Sequence, residues 1–185
     1  MYSWRTLQFE FLGKNKKRMT IKLYLIRHGI AADREDYAND EDRPLTNKGR
    51  KRTTKVAKQL RDRGLRFDHI LTSPLVRAQE TAAILQDVGL GEQLDEFPSL
   101  APDGDIHTWV NWLQKWRQNR SRESCLALVG HQPDLGNWAE LLVWGEAQEK
   151  LVLKKAGIIG LNLKETGVPL GQSELFLLTS PKWLI

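Results

Sequence analysis

The feature that most constrains this chain is a short apolar run, Leu23 to Ile26, followed at once by Arg27, His28 and Gly29. A run of this length and composition, bounded by a glycine, predicts a buried strand in the centre of a mostly parallel sheet. In α/β proteins, ligands bind just outside the carboxyl ends of such strands. We therefore expect His28 to lie at a functional edge of the sheet.

The length and charge of the chain fit one domain with a basic N-terminal extension. The 185 residues, 41% of them hydrophobic, supply a single core, and a second full domain would not fit. Residues 1–18 contain five basic residues and one Glu, which leaves 23 basic and 22 acidic residues, a net charge of +1, for residues 19–185. We therefore predict a domain over residues 19–185 that does not bind nucleic acid. For residues 1–18 a solvated, flexible end is the favoured interpretation, while a start-site artefact or a tail that binds a membrane surface or a partner stays open.

Cysteine content and hydropathy predict where the protein works. Cys125 is the only cysteine, so an internal disulfide is impossible and a reducing cytoplasm is the natural compartment. The apolar runs are shorter than the roughly 18 residues that span a bilayer, which predicts no membrane span. At the N-terminus, an acidic residue and a late basic cluster differ from the order of a secretory signal. We expect a cytoplasmic protein.

Strand-like and helix-like segments alternate along the chain, a pattern typical of α/β folds. Besides the first run, strands are predicted over residues 67–73, 92–97, 125–130, 156–163 and 174–179, and helices over 46–63, from 73 onward, over 106–119 and over 134–144. Thr46 is the predicted N-cap of the first helix and Gly64 its stop. We interpret the basic side chains of that helix as a solvated face, and the tryptophans of the third helix as core.

Four side chains that suit phosphate chemistry follow predicted strands. Arg27 and His28 follow the first strand, Arg77 lies in the first turn of the helix after the second, and His131 follows a later strand. Guanidinium groups bind phosphoryl oxygens with paired donors, and a neutral imidazole can attack phosphorus. The arginines also disfavour the imidazolium form, which keeps a nucleophilic histidine neutral. The sequence therefore predicts a phosphate pocket formed by these four residues.

Four ordered motifs of this chain resemble the histidine phosphatase superfamily, also called phosphoglycerate mutase-like. The resemblance runs from about residue 20 to the C-terminus. Its motifs are Arg27-His28-Gly29, Arg43 to Gly49, Thr72 to Ala82, and Gly130-His131. The resemblance implies a three-layer α/β/α sandwich around a mostly parallel central sheet, with a phosphohistidine intermediate on His28. It also implies that Arg27, Arg77 and His131 bind and stabilise the phosphoryl group.

Within that superfamily, the short chain and the loop Pro102-Asp103-Gly104-Asp105 resemble the small bacterial phosphohistidine phosphatases of the SixA type. Mutases and many sugar phosphatases of the superfamily add a glutamate as general acid, and at that place this chain has Ser99. Expelling an alkoxide needs such a proton donor, whereas an imidazole leaving group carries its own proton. The missing glutamate therefore favours a phosphohistidine substrate, with Glu96, Asp103 and Asp105 as the remaining candidates for an acid.

We expect a phosphatase that works in two steps, in which His28 takes the phosphoryl group and water then releases phosphate. The preferred substrate is phosphohistidine on a signalling protein. A small phosphorylated metabolite is the alternative, and a non-catalytic phosphoprotein-binding module is less favoured. No cofactor or metal is expected, because the histidines and Cys125 lack the spacing of zinc ligands. The cysteine phosphatase class is excluded, because that class needs an arginine as the sixth residue after the cysteine and here that residue is not Arg. His69 and His107 are predicted to have no chemical role.

Three further polar residues are candidates for the mouth of the pocket: Arg34, Arg43 and Gln132. We assign them to substrate binding rather than to the chemical step. For Arg43, a salt bridge to Asp40 or Asp42 within its own loop is an equal alternative.

Overall fold

The protein is built on a six-stranded β-sheet. The computed structural model describes residues 21–118 and 123–185. Within these ranges the strands are β1 (Ile21–Arg27), β2 (His69–Thr72), β3 (Leu94–Glu96), β4 (Ser124–Gly130), β5 (Ile158–Leu163) and β6 (Glu174–Thr179). Their order across the sheet is β3-β2-β4-β1-β5-β6, so β1 is central, as its apolar run predicted.

The described sheet is mostly parallel around β1 and β4. These two strands pair in parallel register, from Ile21 opposite Ser124 to Arg27 opposite Gly130. β2 continues the parallel part beside β4, and β3 completes it. On the other side of β1, β5 and β6 add two antiparallel pairings. The carboxyl ends of β1, β2 and β4 therefore meet at one edge of the sheet.

Helices cover both faces of the sheet. Those in the described ranges are α1 (Asn47–Asp62), α2 (Val76–Asp87), α3 (Ile106–Arg117) and α4 (Asp134–Trp144). Side chains of β1 alternate between two apolar clusters, because successive residues of a strand point to opposite faces. Leu23 and Leu25 pack with α3 and α4, whereas Tyr24 and Ile26 pack with α1 and α2. This is the predicted three-layer α/β/α sandwich.

Local sequence signals set the bounds of α1 and the burial of α3. The Thr46 Oγ1 accepts the Gly49 N–H at 2.9 Å and so caps α1, as predicted. Gly64 follows the end of α1 with a φ of +83°, a left-handed conformation that glycine adopts without steric cost. Trp109 of α3 is fully buried, and the partly buried Trp112 packs against the same cluster, which confirms the tryptophans as core residues.

Several predicted boundaries shift: the strands predicted over residues 67–73 and 156–163, for example, are shortened to β2 and β5. The second helix starts later than predicted, at Val76, because Ser73 directly follows β2 and its N–H still donates to the Val129 carbonyl of β4 at 2.9 Å. The strand predicted over residues 92–97 is reduced to β3, whose three residues pair with β2 alone among the described strands.

Two predictions concern residues outside the described ranges. These are the basic extension over residues 1–18 and the last position of the helix predicted over residues 106–119. In the part of the chain that is described, no helix combines the length and the apolar character that a membrane crossing needs.

Candidate active site

His28 lies directly beyond β1, at the edge where the parallel strands end. Its backbone N–H donates to the Gly130 carbonyl at 3.0 Å, which continues the pairing of β1 with β4. The ring Nδ1 lies 2.7 Å from the Gly29 carbonyl oxygen, and because a carbonyl only accepts, Nδ1 carries the proton. In the neutral ring, Nε2 then keeps its lone pair. His28 is 7% exposed, so most of the ring is buried.

His131, beyond β4, faces His28. The centroids of the two imidazole rings are 5.2 Å apart, and the ring planes are inclined at 53°. The Ser73 Oγ, at the end of β2, lies 2.8 Å from His131 Nε2. Because the Leu75 N–H donates to the same oxygen at 3.3 Å, the hydroxyl proton is free to be donated to Nε2. The ring proton of His131 is then on Nδ1, which is buried and has no partner among the described residues.

Both histidines are neutral at physiological pH. Burial lowers the pKa of His28 to about 3; the charge that His131 carries when protonated and the charges of Arg77 and Arg27 act in the same direction, and the hydrogen bond to Gly29 opposes them. Burial also lowers the pKa of His131 to about 4, with Arg77 as the next cause. A neutral imidazole is the form that can act as a nucleophile.

Arg27 and Arg77 bring two guanidinium groups to the histidines. Arg27 Nη1 donates to the Leu153 carbonyl at 2.7 Å, which fixes the side chain against the loop before β5. Arg77 is 4% exposed and lies in the first turn of α2. The Nε atoms of both arginines are buried and lack a hydrogen-bond partner within residues 21–118 and 123–185. The structure thus brings the four predicted residues together and leaves them guanidinium donors of the kind that bind phosphoryl oxygens.

Sequence reasoning misses Asp40, whose carboxylate lies on the guanidinium of Arg77. Arg77 Nη2 donates to Asp40 Oδ2 at 2.8 Å, and Nη1 donates to the Asp40 backbone carbonyl at 2.7 Å. Asp40 begins the second of two short 3₁₀ turns in the segment between β1 and α1. Its spacing from Arg43 is the signal that pointed to a salt bridge, but nothing local indicates its contact with α2.

The two arginines predicted for the pocket mouth meet at Asp40. Arg43 Nε and Nη2 lie 2.8 and 2.7 Å from Asp40 Oδ1, and Nη1 donates to the Ala32 carbonyl at 2.9 Å. The alternative salt bridge from Arg43 to Asp40 is therefore present. Arg34 donates to the Tyr37 carbonyl at 2.8 Å, its Nε is 3.5 Å from Asp40 Oδ1, and its side chain is 56% exposed. Both arginines contact the pocket through Asp40.

Gln132 uses both ends of its amide within the protein. Nε2 donates to the Leu151 carbonyl at 3.1 Å, and Oε1 accepts the Leu153 N–H at 3.1 Å. These bonds brace the loop whose carbonyl holds Arg27. Gln132 therefore positions this loop, and the substrate-binding role expected from the sequence stays a prediction.

A buried carboxylate holds the same loop from its other side. Glu140 of α4 is fully buried, and it accepts the backbone N–H groups of Gln148, of Lys150 at 2.6 Å and of Leu151 at 2.5 Å. Burial opposes the charged form, but these hydrogen bonds outweigh it and lower the pKa of Glu140. The loop that reaches Arg27 is therefore anchored at several points.

Lys155 adds a further cation at the pocket, and sequence reasoning misses it as well. Its neighbour Ala156 donates its N–H to the carbonyls of Arg27 and His28, at 3.1 Å each. Burial, followed by the charges of Arg27 and Arg43, lowers the pKa of Lys155, although its side chain is exposed. An exposed ammonium that is influenced by these arginines lies at the rim of the pocket.

The other candidate acids lie on exposed loops and strand ends. Asp105 is the N-cap of α3 and accepts the His107 N–H at 2.9 Å, and Glu96 accepts a side-chain amide at 2.9 Å. Asp103 is exposed on the loop before α3. By contrast, Asp40 is bonded directly to a pocket arginine.

The remaining histidines and the cysteine lie elsewhere in the fold. His69 begins β2, at the edge opposite the pocket, and its Nε2 is 2.7 Å from Asp95; His107 is exposed on α3. Cys125 lies near the amino end of β4, where burial raises the pKa of its thiol to about 12. Within the described ranges, no group of three or more His, Cys, Asp or Glu side chains could hold a metal ion.

A fold of this kind, with paired histidines and arginines at the carboxyl edge of the sheet, is shared with a known class of proteins. The family model of the histidine phosphatase superfamily (branch 1) matches residues 23–124, which include His28 and Arg77. The chain belongs to this superfamily. Membership supports phosphatase activity.

Individual relatives show a more specific similarity than the family model does. An uncharacterized protein of Picosynechococcus sp. is 52% identical over 166 residues, 89% of this chain and 99% of its own length. The phosphohistidine phosphatase SixA of Escherichia coli is 30% identical over 151 residues, 80% of this chain and 88% of its own. The structure of the protein histidine phosphatase SixA complexed with tungstate matches with a TM-score of 0.76 at 26% identity, over 89% of this chain and 99% of that one. A phosphoglycerate mutase from Bacillus anthracis, 13% identical with a TM-score of 0.69 over 91% of this chain and 97% of its own, shares the fold.

Proposed function

We propose that the protein is a phosphatase that hydrolyses phosphohistidine on a signalling protein, through a phosphohistidine intermediate on His28. The observation that carries the proposal is the pair of neutral imidazoles, His28 and His131, with centroids 5.2 Å apart and with Arg27 and Arg77 close to both. The 30% identity to a phosphohistidine phosphatase supports the same class of substrate.

The geometry supports a two-step transfer that starts at His28 Nε2. This nitrogen attacks the phosphorus, the P–N bond of the substrate breaks, and its electron pair stays on the substrate imidazole. That imidazole leaves as a neutral ring because its other nitrogen already carries a proton. Arg27 and Arg77 neutralise the charge on the phosphoryl oxygens, and His131 stabilises it as a neutral hydrogen-bond donor. Water then attacks the phosphorus on His28, which releases phosphate and returns a neutral His28.

The carboxylate at the pocket fits a P–N substrate better than an ester. Burial raises the pKa of Asp40, but the hydrogen bonds and charges of Arg77 and Arg43 outweigh burial and hold this pKa below its usual value. Asp40 therefore stays charged and does not supply a proton to an alkoxide at neutral pH. Ser99, at the place where the resemblance puts the glutamate of mutases and many sugar phosphatases, lies in the 3₁₀ turn Pro98–Leu100 and offers only a hydroxyl.

A substrate comparison tests the proposal. The full chain is incubated with a histidine-containing phosphotransfer domain that carries ³²P on its histidine, and separately with p-nitrophenyl phosphate and a sugar phosphate. We expect kcat/KM to be about 100-fold higher for the phosphoprotein than for the sugar phosphate, since the ester lacks a general acid. Acid-labile ³²P is expected on the enzyme after rapid quenching.

Substitutions complete the test. His28→Ala is expected to abolish turnover and the trapped label, whereas His107→Ala, an exposed histidine on α3, keeps both. Faster hydrolysis of the sugar phosphate would assign the protein to small phosphorylated metabolites instead. Binding of the phosphoprotein without release of phosphate would make it a phosphoprotein-binding module. Full activity of His28→Ala would remove the mechanism.

A further inference from the structure

The N-terminal half of α1 forms a basic groove on the surface. The groove has a volume of about 490 Å³ and is lined by Asn47, Lys48, Lys51, Arg52, Lys55 and Ile185. Lys48, Lys51 and Lys55 are exposed. Among the described residues, none of these three forms a salt bridge. The groove therefore presents uncompensated positive charge.

The groove also has an apolar component that a merely solvated face does not need. Ile185 is 49% exposed at its wall, and the nearby Trp183 is 84% exposed, while Leu184 between them packs on the core beneath α1. Lysine side chains add aliphatic stems to such a surface while their ammonium groups stay in water. Exposed apolar residues that are rimmed by polar side chains are typical of surfaces that bind other proteins.

The groove begins beside the catalytic pocket. The backbone N–H and the Oγ1 of Thr46, the cap of α1, donate to the Ile30 carbonyl at 2.9 and 3.2 Å, and Ile30 lies two residues after His28. From Lys48 to Lys55, α1 then leads away from the pocket by roughly 10 Å. A small metabolite bound at His28 would not extend along this distance, but a protein bound there would.

We propose that this groove docks an acidic face of the phosphoprotein substrate while its phosphohistidine occupies the pocket. The proposal rests on the proposed function and adds the partner's chemistry to it. Charge complementarity favours an acidic partner, because α1 has no acidic residue before Asp62 and its Arg50 is already paired with Glu80. A protein is favoured over a nucleic acid as the partner because the basic residues of the groove all lie on one helix, while the net charge of residues 19–185 is only +1.

Peptides with a defined flank test the docking surface. Each of two peptides carries one phosphohistidine, followed by a flank of about eight residues that spans roughly 26 Å when extended. The flank is glutamate-rich in one peptide and glutamine-rich in the other. We expect kcat/KM of the wild-type protein to be about tenfold higher for the acidic peptide, and this preference to decrease with salt. The double variant Lys51→Glu, Lys55→Glu is expected to lose the preference.

A matched variant controls for net charge. Lys115→Glu, Lys164→Glu makes the same charge change at exposed sites on α3 and after β5, and it is expected to keep the preference. All three proteins are expected to hydrolyse p-nitrophenyl phosphate at the same rate, which shows an intact pocket. Equal use of both peptides by the wild type, or an equal loss in the control variant, would overturn the proposal.

Binding measured without turnover separates this proposal from the proposed function. Fluorescence anisotropy with the labelled, unphosphorylated acidic peptide is expected to show binding to the wild type and to the control variant, and weaker binding to Lys51→Glu, Lys55→Glu. If no phosphohistidine peptide is hydrolysed while this pattern is seen, the proposed function fails and the acidic docking surface stands. If duplex DNA competes as strongly as the acidic peptide, the groove binds nucleic acid and the proposal is wrong.

Discussion

Asp40 contacts the guanidinium of Arg77 twice, through its backbone carbonyl at 2.7 Å and its carboxylate at 2.8 Å. A phosphoryl group needs the same donors if Arg77 binds substrate, as we propose. The carboxylate therefore keeps Arg77 ordered and partly neutralised in the free protein, and an anionic ligand competes with it.

Asp40→Asn is expected to strengthen the binding of inorganic phosphate by about tenfold. The substitution removes a negative charge next to the bound anion, and a change of tenfold corresponds to about 1.4 kcal/mol. The measurement is the inhibition constant of phosphate against p-nitrophenyl phosphate. Asp42→Asn, in the same 3₁₀ turn, is the control and is expected to leave this constant unchanged. Weaker phosphate binding in Asp40→Asn would mean that Asp40 supports the anion.

Ser73→Ala is expected to lower kcat about tenfold with little change in KM. Without the hydroxyl, His131 loses the hydrogen bond that places its ring proton on Nδ1, and one neutral hydrogen bond is worth about 1 kcal/mol. Histidine ¹⁵N NMR reads out the tautomer directly. Thr72→Val is the control, since its hydroxyl donates to a backbone carbonyl instead of a ring. An unchanged His131 tautomer together with an unchanged kcat would show that Ser73 only packs against His131 and does not set its tautomer.

The neutral histidines make stability depend on pH. The pKa values of His28 and His131 are about 3 and about 4 in the folded protein, below the usual value of 6.5 that the unfolded chain restores. Between these values the unfolded state binds more protons than the folded state. The contribution of the two histidines to the free energy of unfolding is therefore greatest above about pH 6.5, and it decreases as the pH falls towards the folded pKa values. Each histidine contributes a slope of up to ~1.4 kcal/mol per pH unit.

Urea unfolding at about pH 7, 6 and 5 measures this slope. His28→Gln is expected to be less sensitive to pH than the wild type, because it removes one of the two groups that gain a proton on unfolding. His107→Gln, at an exposed position, is the matched control and is expected to keep the wild-type slope. Equal slopes for His28→Gln and the wild type would contradict a neutral, buried His28.

Lys155→Ala is expected to raise KM for phosphorylated substrates about threefold to tenfold and to leave kcat unchanged. Lys155 lies at the rim, where its charge attracts the anion before and during binding, but it makes no contact that the chemical step requires. Steady-state kinetics at low salt measure the effect, which salt is expected to weaken. Lys154→Ala removes an adjacent exposed lysine and serves as the control. A change confined to kcat would place Lys155 in the reaction itself.

The sequence predicts the fold well because its signals are local. The apolar run of β1 alternates between two clusters, Thr46 caps α1 with its own side chain, and Gly64 supplies the left-handed residue that ends it. The proximity of His28 and His131 is also predictable, because parallel strands place their carboxyl ends at one edge of a sheet.

The parts that sequence reasoning misses depend on contacts between distant segments. Asp40 reaches Arg77 from an irregular loop, and Lys155 is placed by a loop that bonds to the backbone after β1. Gln132, which is predicted at the pocket mouth, bonds through its amide to the backbone of another loop. No periodicity or motif encodes where such loops lie.

The partner of Arg27 has a practical consequence. A carbonyl oxygen carries no formal charge, so within residues 21–118 and 123–185 the positive charge of Arg27 has no counter-ion, while Arg43 and Arg77 share one carboxylate. A cavity with this surplus of positive charge attracts small tetrahedral oxyanions from the medium. Sulfate and phosphate buffers will therefore act as competitive inhibitors, and kinetic constants are best measured in zwitterionic buffers with chloride as the counterion.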